Sequence, residues 1–206
     1  MHRYEPLLLL SLILLASCQG RTDHSLPVPP PAPPAASPAI VDTTHGFRIA
    51  VPPDMQVRRD FRRSYLANGQ WKAYATGDDH GTPALALVLE GSNAITAAEL
   101  RIGIGQDAEA LAHCLDVPAT AVPAQATQVT LAGVRFNRFH AADAAMSHYL
   151  DVEAYRAVHA GRCYAIDLLI TGTRPEVYDP PATPPFGREA ALKRLRAALR
   201  GLRFID

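Results

Sequence analysis

The chain has 206 residues, with 20 basic and 20 acidic side chains and a formal net charge of zero. That balance excludes a general electrostatic drive towards nucleic acid or an anionic membrane surface and leaves charged recognition to local patches. At 48% hydrophobic residues the chain holds enough apolar material for one domain with a real core, and its length argues against a second.

The N-terminus carries His2 and Arg3, then an apolar run from Leu7 to Leu15, then Ala16, Ser17 and Cys18. The run is about half of the roughly 20 residues that a membrane-spanning helix needs. A basic start, an apolar middle and a small-residue end make residues 1–17 a signal peptide. Leu15-Ala16-Ser17-Cys18 resembles the bacterial lipobox, in which cleavage precedes the cysteine and the cysteine is acylated. The resemblance implies an envelope lipoprotein anchored at Cys18 by several acyl chains, palmitate among them. At about 0.8 kcal/mol per buried methylene such an anchor is stable where one short chain is marginal. In that family an aspartate after the cysteine tends to retain the protein at the inner membrane. Gln19 therefore implies the outer membrane, with the domain facing the periplasm.

Residues 18–44 shift to Pro, Ala, Ser and Thr around Pro27-Val28-Pro29-Pro30-Pro31-Ala32-Pro33-Pro34. Such a segment favours polyproline II and reads as a lipidated, semi-rigid tether reaching on the order of 70 to 80 Å if extended. With Cys18 given to lipid by the resemblance, Cys114 and Cys163 remain. In an oxidising compartment they read as one disulfide, the alternatives being two buried thiols or a metal pair. Closing about 49 residues would contribute roughly 4 kcal/mol in the chain-entropy picture.

The domain spans 45–206. Phe47-Arg48-Ile49-Ala50-Val51 alternates as a half-buried strand stopped by Pro52-Pro53. Asn68-Gly69 predicts a tight hairpin between strands at 64–67 and 70–74. Ala84 to Leu89 reads as a central strand. Glu99 to Ile104 is a strand, because Gly103 and Gly105 would each cost a helix about 1 kcal/mol. A short helix over 107–115 follows, with Ala108, Leu111, Ala112 and Leu115 on one face. Val129–Leu131 and Val134–Phe136 form a hairpin about Ala132-Gly133. His148–Val158 and Cys163–Thr171 form another about Ala160-Gly161, with Tyr164, Ile166, Leu168 and Ile170 on the core face. After a proline-punctuated loop at 172–187, Leu192, Leu195 and Leu199 predict an amphipathic helix over 188–200, with Leu202 to Ile205 returning as an edge strand.

These elements define an α+β domain: a mostly antiparallel, twisted sheet of about six to eight strands with the helices 107–115 and 188–200 packed on it. The opening Phe47-x-Ile49-x-Val51-Pro52 and the closing Leu202-Arg203-Phe204 resemble the PsbP/Mog1-like fold. That resemblance implies a protein that binds or organises other proteins.

Several side-chain groups invite a functional reading. Tyr178 and Phe186, with Arg174 and Glu176, make the 172–187 loop a rigid aromatic surface for an envelope protein partner, or else a cap on the open end of the sheet. Lys193, Arg194, Arg196 and Arg200 form a basic helix face, read either as solvated or as a contact for anionic headgroups or an acidic partner. Trp71, Tyr74 and Tyr164 suggest a small-ligand or lipid pocket between sheet and helix. Asp78, Asp79 and His80 have metal-ligand chemistry, but in a loop they read as turn residues. His140, His148 and His159 lie on neighbouring hairpins, and His113 sits beside Cys114. No nucleophile elbow, Ser-x-x-Lys or phosphate-loop motif occurs. The expectation is a non-enzymatic protein-binding or assembly module without cofactor or metal. A ligand-binding module comes second and a hydrolase without a recognisable motif third.

Overall fold

The computed structural model describes residues 38–61, 70–75, 79–122 and 126–205. The signal sequence, Cys18, most of the tether, the Asn68-Gly69 turn and Asp78 lie outside those residues. In chain order the elements are β1 (Ala39–Asp42), β2 (Phe47–Ala50), β3 (Met55–Arg58), β4 (Thr82–Leu89), β5 (Ala97–Gly105), α1 (Ala108–Ala112), β6 (Thr127–Leu131), β7 (Val134–Ala145), β8 (His148–His159), β9 (Arg162–Thr173), α2 (Arg188–Leu199) and β10 (Leu202–Phe204). A 3-10 turn at Pro175–Val177 interrupts the long loop before α2.

The strands divide between two antiparallel sheets. Seven form one sheet in the order β3-β4-β5-β9-β8-β7-β6, and three form another in the order β1-β2-β10. The α+β class stands, while the single sheet expected from sequence is two. Turn chemistry sets the register of the large sheet. The β6–β7, β7–β8 and β8–β9 connections are two-residue turns with positive φ at both positions: Ala132 and Gly133, Met146 and Ser147, Ala160 and Gly161. Turns of that hand match the right-handed twist of the strands.

Period-two alternation then sends Leu100, Ile102 and Ile104 of β5 and Tyr164, Ile166, Leu168 and Ile170 of β9 to one face. There they meet Phe47 and Ile49 of β2 and Ala191, Leu195, Ala198 and Leu199 of α2. Deleting one such side chain, as in Leu195→Ala, costs about 2–5 kcal/mol. The opposite face is also covered. Ala73, Phe139, Ala141, Val152, Ala154 and Leu169 form one apolar cluster there, and Trp71, Ala110, Cys114, Cys163 and Ala165 another. Cys114 and Cys163 form a disulfide that ties the segment after α1 to the start of β9. Helix α1 is shorter than the expected 107–115: Asp107 is its N-cap, accepting from Ala110 N at 2.7 Å, and His113 ends it.

Two further expectations are corrected. Strand β1 lies within the span read as tether, where four Ala-Ile-Val-Asp residues pair with β2 directly after Pro38. Residues 70–74 are turns and bends, not a strand. Their backbone is held by side chains: Ala73 N donates to Asp167 Oδ2 at 2.8 Å, and Ala73 O accepts from Arg156 Nη2 at 3.1 Å.

The glycines of β5 explain where Trp71 goes. A Cβ on Gly103 would fall 1.7 Å from the Trp71 carbonyl oxygen, one on Gly105 2.9 Å from the indole, and one on Gly81 2.3 Å from it. The chain's one tryptophan therefore lies flat on a glycine floor, its Nε1 donating to Asp79 O at 3.1 Å.

Candidate functional site

Beyond β9 the chain cannot continue as a strand through Arg174-Pro175; it makes the 3-10 turn at Pro175–Val177 and then an irregular, proline-punctuated path to α2. Two anchors position this loop. Arg174 N donates to Ser147 O at 2.8 Å, tying its start to the β7–β8 turn. Phe186, half-buried, packs against the main core just before α2 begins. Between the anchors Arg174, Glu176, Val177, Tyr178 and Pro180 are exposed. The two sequence alternatives for the aromatic pair are thus divided, with Phe186 capping the sheet and Tyr178, 40% exposed, facing solvent.

Beneath the loop is a cleft of about 370 Å³ lined by Thr96, Tyr149, Pro175, Pro184, Phe186, Gly187 and Arg188. Its floor is fixed: the Tyr149 hydroxyl lies 2.8 Å from Thr96 Oγ1 and donates to Ile95 O at 3.1 Å. Gly172 lets Ile95 and Tyr149 approach, since a Cβ there would fall 2.1 Å from Ile95 O. At the rim the Arg188 guanidinium stacks 3.7 Å from the Tyr149 ring centre and lies 3.7 Å from Asp151 Oδ2. Met146, at the tip of the adjoining hairpin, is 85% exposed. The end of the sheet therefore combines exposed apolar side chains, an apolar cleft with the Arg188 cation at its rim, and the exposed Arg174 and Glu176 of the loop.

Half of the basic helix face is engaged within the molecule. Arg194 pairs with Asp54 at 3.2 Å, and Arg196 Nε lies 3.1 and 3.2 Å from the two oxygens of Glu153, with Nη2 also in contact. Burial alone would raise the Glu153 pKa, but hydrogen bonds from Arg196 and Tyr155 outweigh it and hold the carboxyl below its ordinary value. Lys193 and Arg200 make no ion pair among the described residues. Two loose cations are a weaker basis for headgroup binding than the four expected.

The proposed aromatic pocket does not form. Trp71 and Tyr74 lie on the face covered by α1, while Tyr164 lies on the other, its hydroxyl donating to His45 O at 2.6 Å. The histidines do not converge either. His148 and His159 end opposite extremes of β8, and His140 stands 3.8 Å from Asp151. Asp79 is buried in an ion pair with Lys72, whose Nζ also donates to His113 O at 3.1 Å. His80 is exposed. His113 turns away from the disulfide: its Nδ1 meets Asp116 Oδ2 at 2.7 Å, a hydrogen bond that raises its pKa. Among the described residues no three His, Cys, Asp or Glu side chains assemble as metal ligands.

A feature missed in sequence is the row of buried charges under the second layer. Arg101 Nε donates to Glu99 Oε2 at 2.9 Å, and Arg156 Nη1 meets Asp167 Oδ1 at 2.7 Å. Lys72, Asp79 and Arg156 also line a hollow of about 230 Å³ with Tyr74, His113 and Asp116. Burial, with Asp143, Asp167 and Asp151 nearby, pushes the Tyr74 pKa up to about 12. Of the charged groups in this hollow, Lys72 pairs with Asp79, His113 with Asp116, and Arg156 with Asp167 and the Ala73 carbonyl.

No family model matches the chain, and no curated protein matches it in sequence. Two solved structures are similar in fold. One is LpqN of Mycobacterium tuberculosis, involved in cell envelope biogenesis, with 10% identity over 78% of this chain and 83% of that one and a TM-score of 0.40. The other is cyanobacterial PsbP (CyanoP) of Synechocystis sp. PCC 6803, with 10% identity over 82% and 93% and a TM-score of 0.43. At that identity the likeness carries over neither residue roles nor an activity.

Proposed function

We propose that this chain is a non-enzymatic envelope lipoprotein whose domain docks another envelope protein at the end of the large sheet, through the loop over 174–187 and the cleft beneath it. Attachment is through lipid on Cys18, with the proline-rich segment as spacer and the outer membrane, facing the periplasm, as its place. The observation that carries the docking site is the contrast between Phe186, packed down, and Val177 and Tyr178, left exposed on the same loop whose Pro175, Pro184 and Phe186 line an apolar cleft. A rigid loop loses little entropy when it binds, and aromatic side chains beside an apolar pocket are what interface centres use. The internal pairing of the buried acids and bases supports a binding role over a hydrolytic one.

A second reading has its own support. The cleft is within the size range of small-molecule sites, and Arg188 at its rim suits a ligand with an apolar body and an acidic end. The two separate by crosslinking in intact envelopes. Val177→Asp/Tyr178→Asp alters only the outer surface and is expected to abolish capture of a protein partner. A ligand held in the cleft would depend on Phe186 and Arg188 instead. Capture unchanged by the paired substitution contradicts the docking site as stated.

A further inference from the structure

The large sheet ends in two outer strands of unlike character. Strand β3 is guarded: it has four residues, closes on Arg58 and is preceded by Pro52, Pro53 and Asp54. Strand β6 reads Thr-Gln-Val-Thr-Leu, without a charge, proline or glycine, and no described strand pairs with its outer side. Unguarded outer strands invite pairing with another chain.

The β6–β7 register decides which groups are on offer. Leu131 and Val134 flank a two-residue turn, so they exchange hydrogen bonds, as do Val129 with Phe136 and Thr127 with Arg138. The N–H and C=O groups of Gln128 and Thr130 therefore point outward. An antiparallel copy of the same strand, centred on Val129, places Gln128 against the partner's Thr130 and the reverse, making four backbone hydrogen bonds. Val129 then faces the partner's Val129 as a non-hydrogen-bonded pair.

Side chains agree with that register. Val129 and Leu131 are half-buried against the main core, and Phe136 lies beside Val129. Pairing about Val129 extends this as an apolar row, from Phe136 through both valines to the partner's Phe136. Arg138 comes into line with the partner's Val134, and Arg135 with the partner's Asn137, so no like charges oppose across the seam. A zero net charge adds no long-range repulsion.

We propose that β6 is a self-pairing edge, joining two copies of this chain through one continuous antiparallel sheet. This is independent of the docking site, which lies at another place on the domain. The full-length chain in its own membranes tests it by cysteine crosslinking. In a non-hydrogen-bonded pair the Cα atoms are about 4.5 Å apart, within the range a disulfide spans. Val129→Cys should therefore give a disulfide-linked dimer under mild oxidation. Thr130→Cys places its thiols two residues out of register, beyond about 7 Å, and should crosslink at least tenfold less. Adding Thr130→Pro to Val129→Cys removes an outward N–H that the monomer does not use, and should abolish the dimer. The unsubstituted chain controls for Cys18. The proposal is overturned by no dimer from Val129→Cys, by equal yields at 129 and 130, by a dimer that survives Thr130→Pro, or by a product with a different protein.

Discussion

Arg156 and Asp167 meet at 2.7 Å on neighbouring strands, each side chain about 2% exposed, and together they hold both backbone groups of Ala73. This clamp, together with the packing of Trp71 and Ala73, fixes the 70–75 segment against the sheet. It also leaves each ion dependent on the other.

Removing one partner alone should therefore be severe. Asp167→Ala or Arg156→Ala leaves a buried charge without its counter-ion and is expected to destabilise the domain by about 3–5 kcal/mol. Chemical denaturation of the purified protein measures this. The apolar pair Arg156→Met/Asp167→Leu should cost less than the sum of the single changes, and a strictly additive result would mean the two do not act as a unit.

The glycine floor makes a sharper prediction. Gly103→Ala drives a methyl into the Trp71 carbonyl and should destabilise by about 1–3 kcal/mol as the segment lifts. Trp71 emission should shift towards the red at the same time. Gly187→Ala meets nothing within 4 Å at an ordinary φ of −74°; at the N-cap of α2 it should cost no more than about 1 kcal/mol and should leave Trp71 emission unchanged.

Much of this was legible in the sequence where a physical signal was local. Ala132-Gly133 and Ala160-Gly161 mark their hairpins, the β9 alternation marks the core face, and leucine spacing marks α2. The Met146-Ser147 turn gives no such signal, because neither residue is a usual choice for positive φ, so the continuation of β7 beyond Phe136 is not legible. Strands β1 and β3 are four residues each: β1 pairs with neighbouring β2 at the end of a span whose composition reads as tether, and β3 depends on a partner farther along the chain, β4. Glu99, Arg101, Arg156 and Asp167 alternate like solvent-facing residues, and only the second layer, which no short-range pattern announces, buries them. Gly103 and Gly105 inside a strand were the available clue. They were read as evidence against a helix when they also mark a close approach. At the proposed site the loop with Tyr178 and Phe186 is suggested by the sequence, while Tyr149 and Thr96 come beside it only through the fold.

Glu153 sets an acid limb to stability. Its folded pKa lies below the ordinary 4.5, so its bond to Arg196 contributes fully above that value and is lost as pH falls through the lowered one. The denaturation midpoint should fall below about pH 4.5, and Glu153→Gln should be less stable at neutral pH with a flatter acid limb. An unchanged acid limb in Glu153→Gln would assign the effect to other carboxylates.

The docking site is tested most directly by a photo-crosslinking residue at position 178, with the full-length chain in intact envelopes. One discrete crosslinked protein is expected, lost when Val177→Asp is added and retained when the crosslinker-bearing chain carries Lys193→Ala on the helix. No product at 178, or a product indifferent to Val177→Asp, would contradict the account.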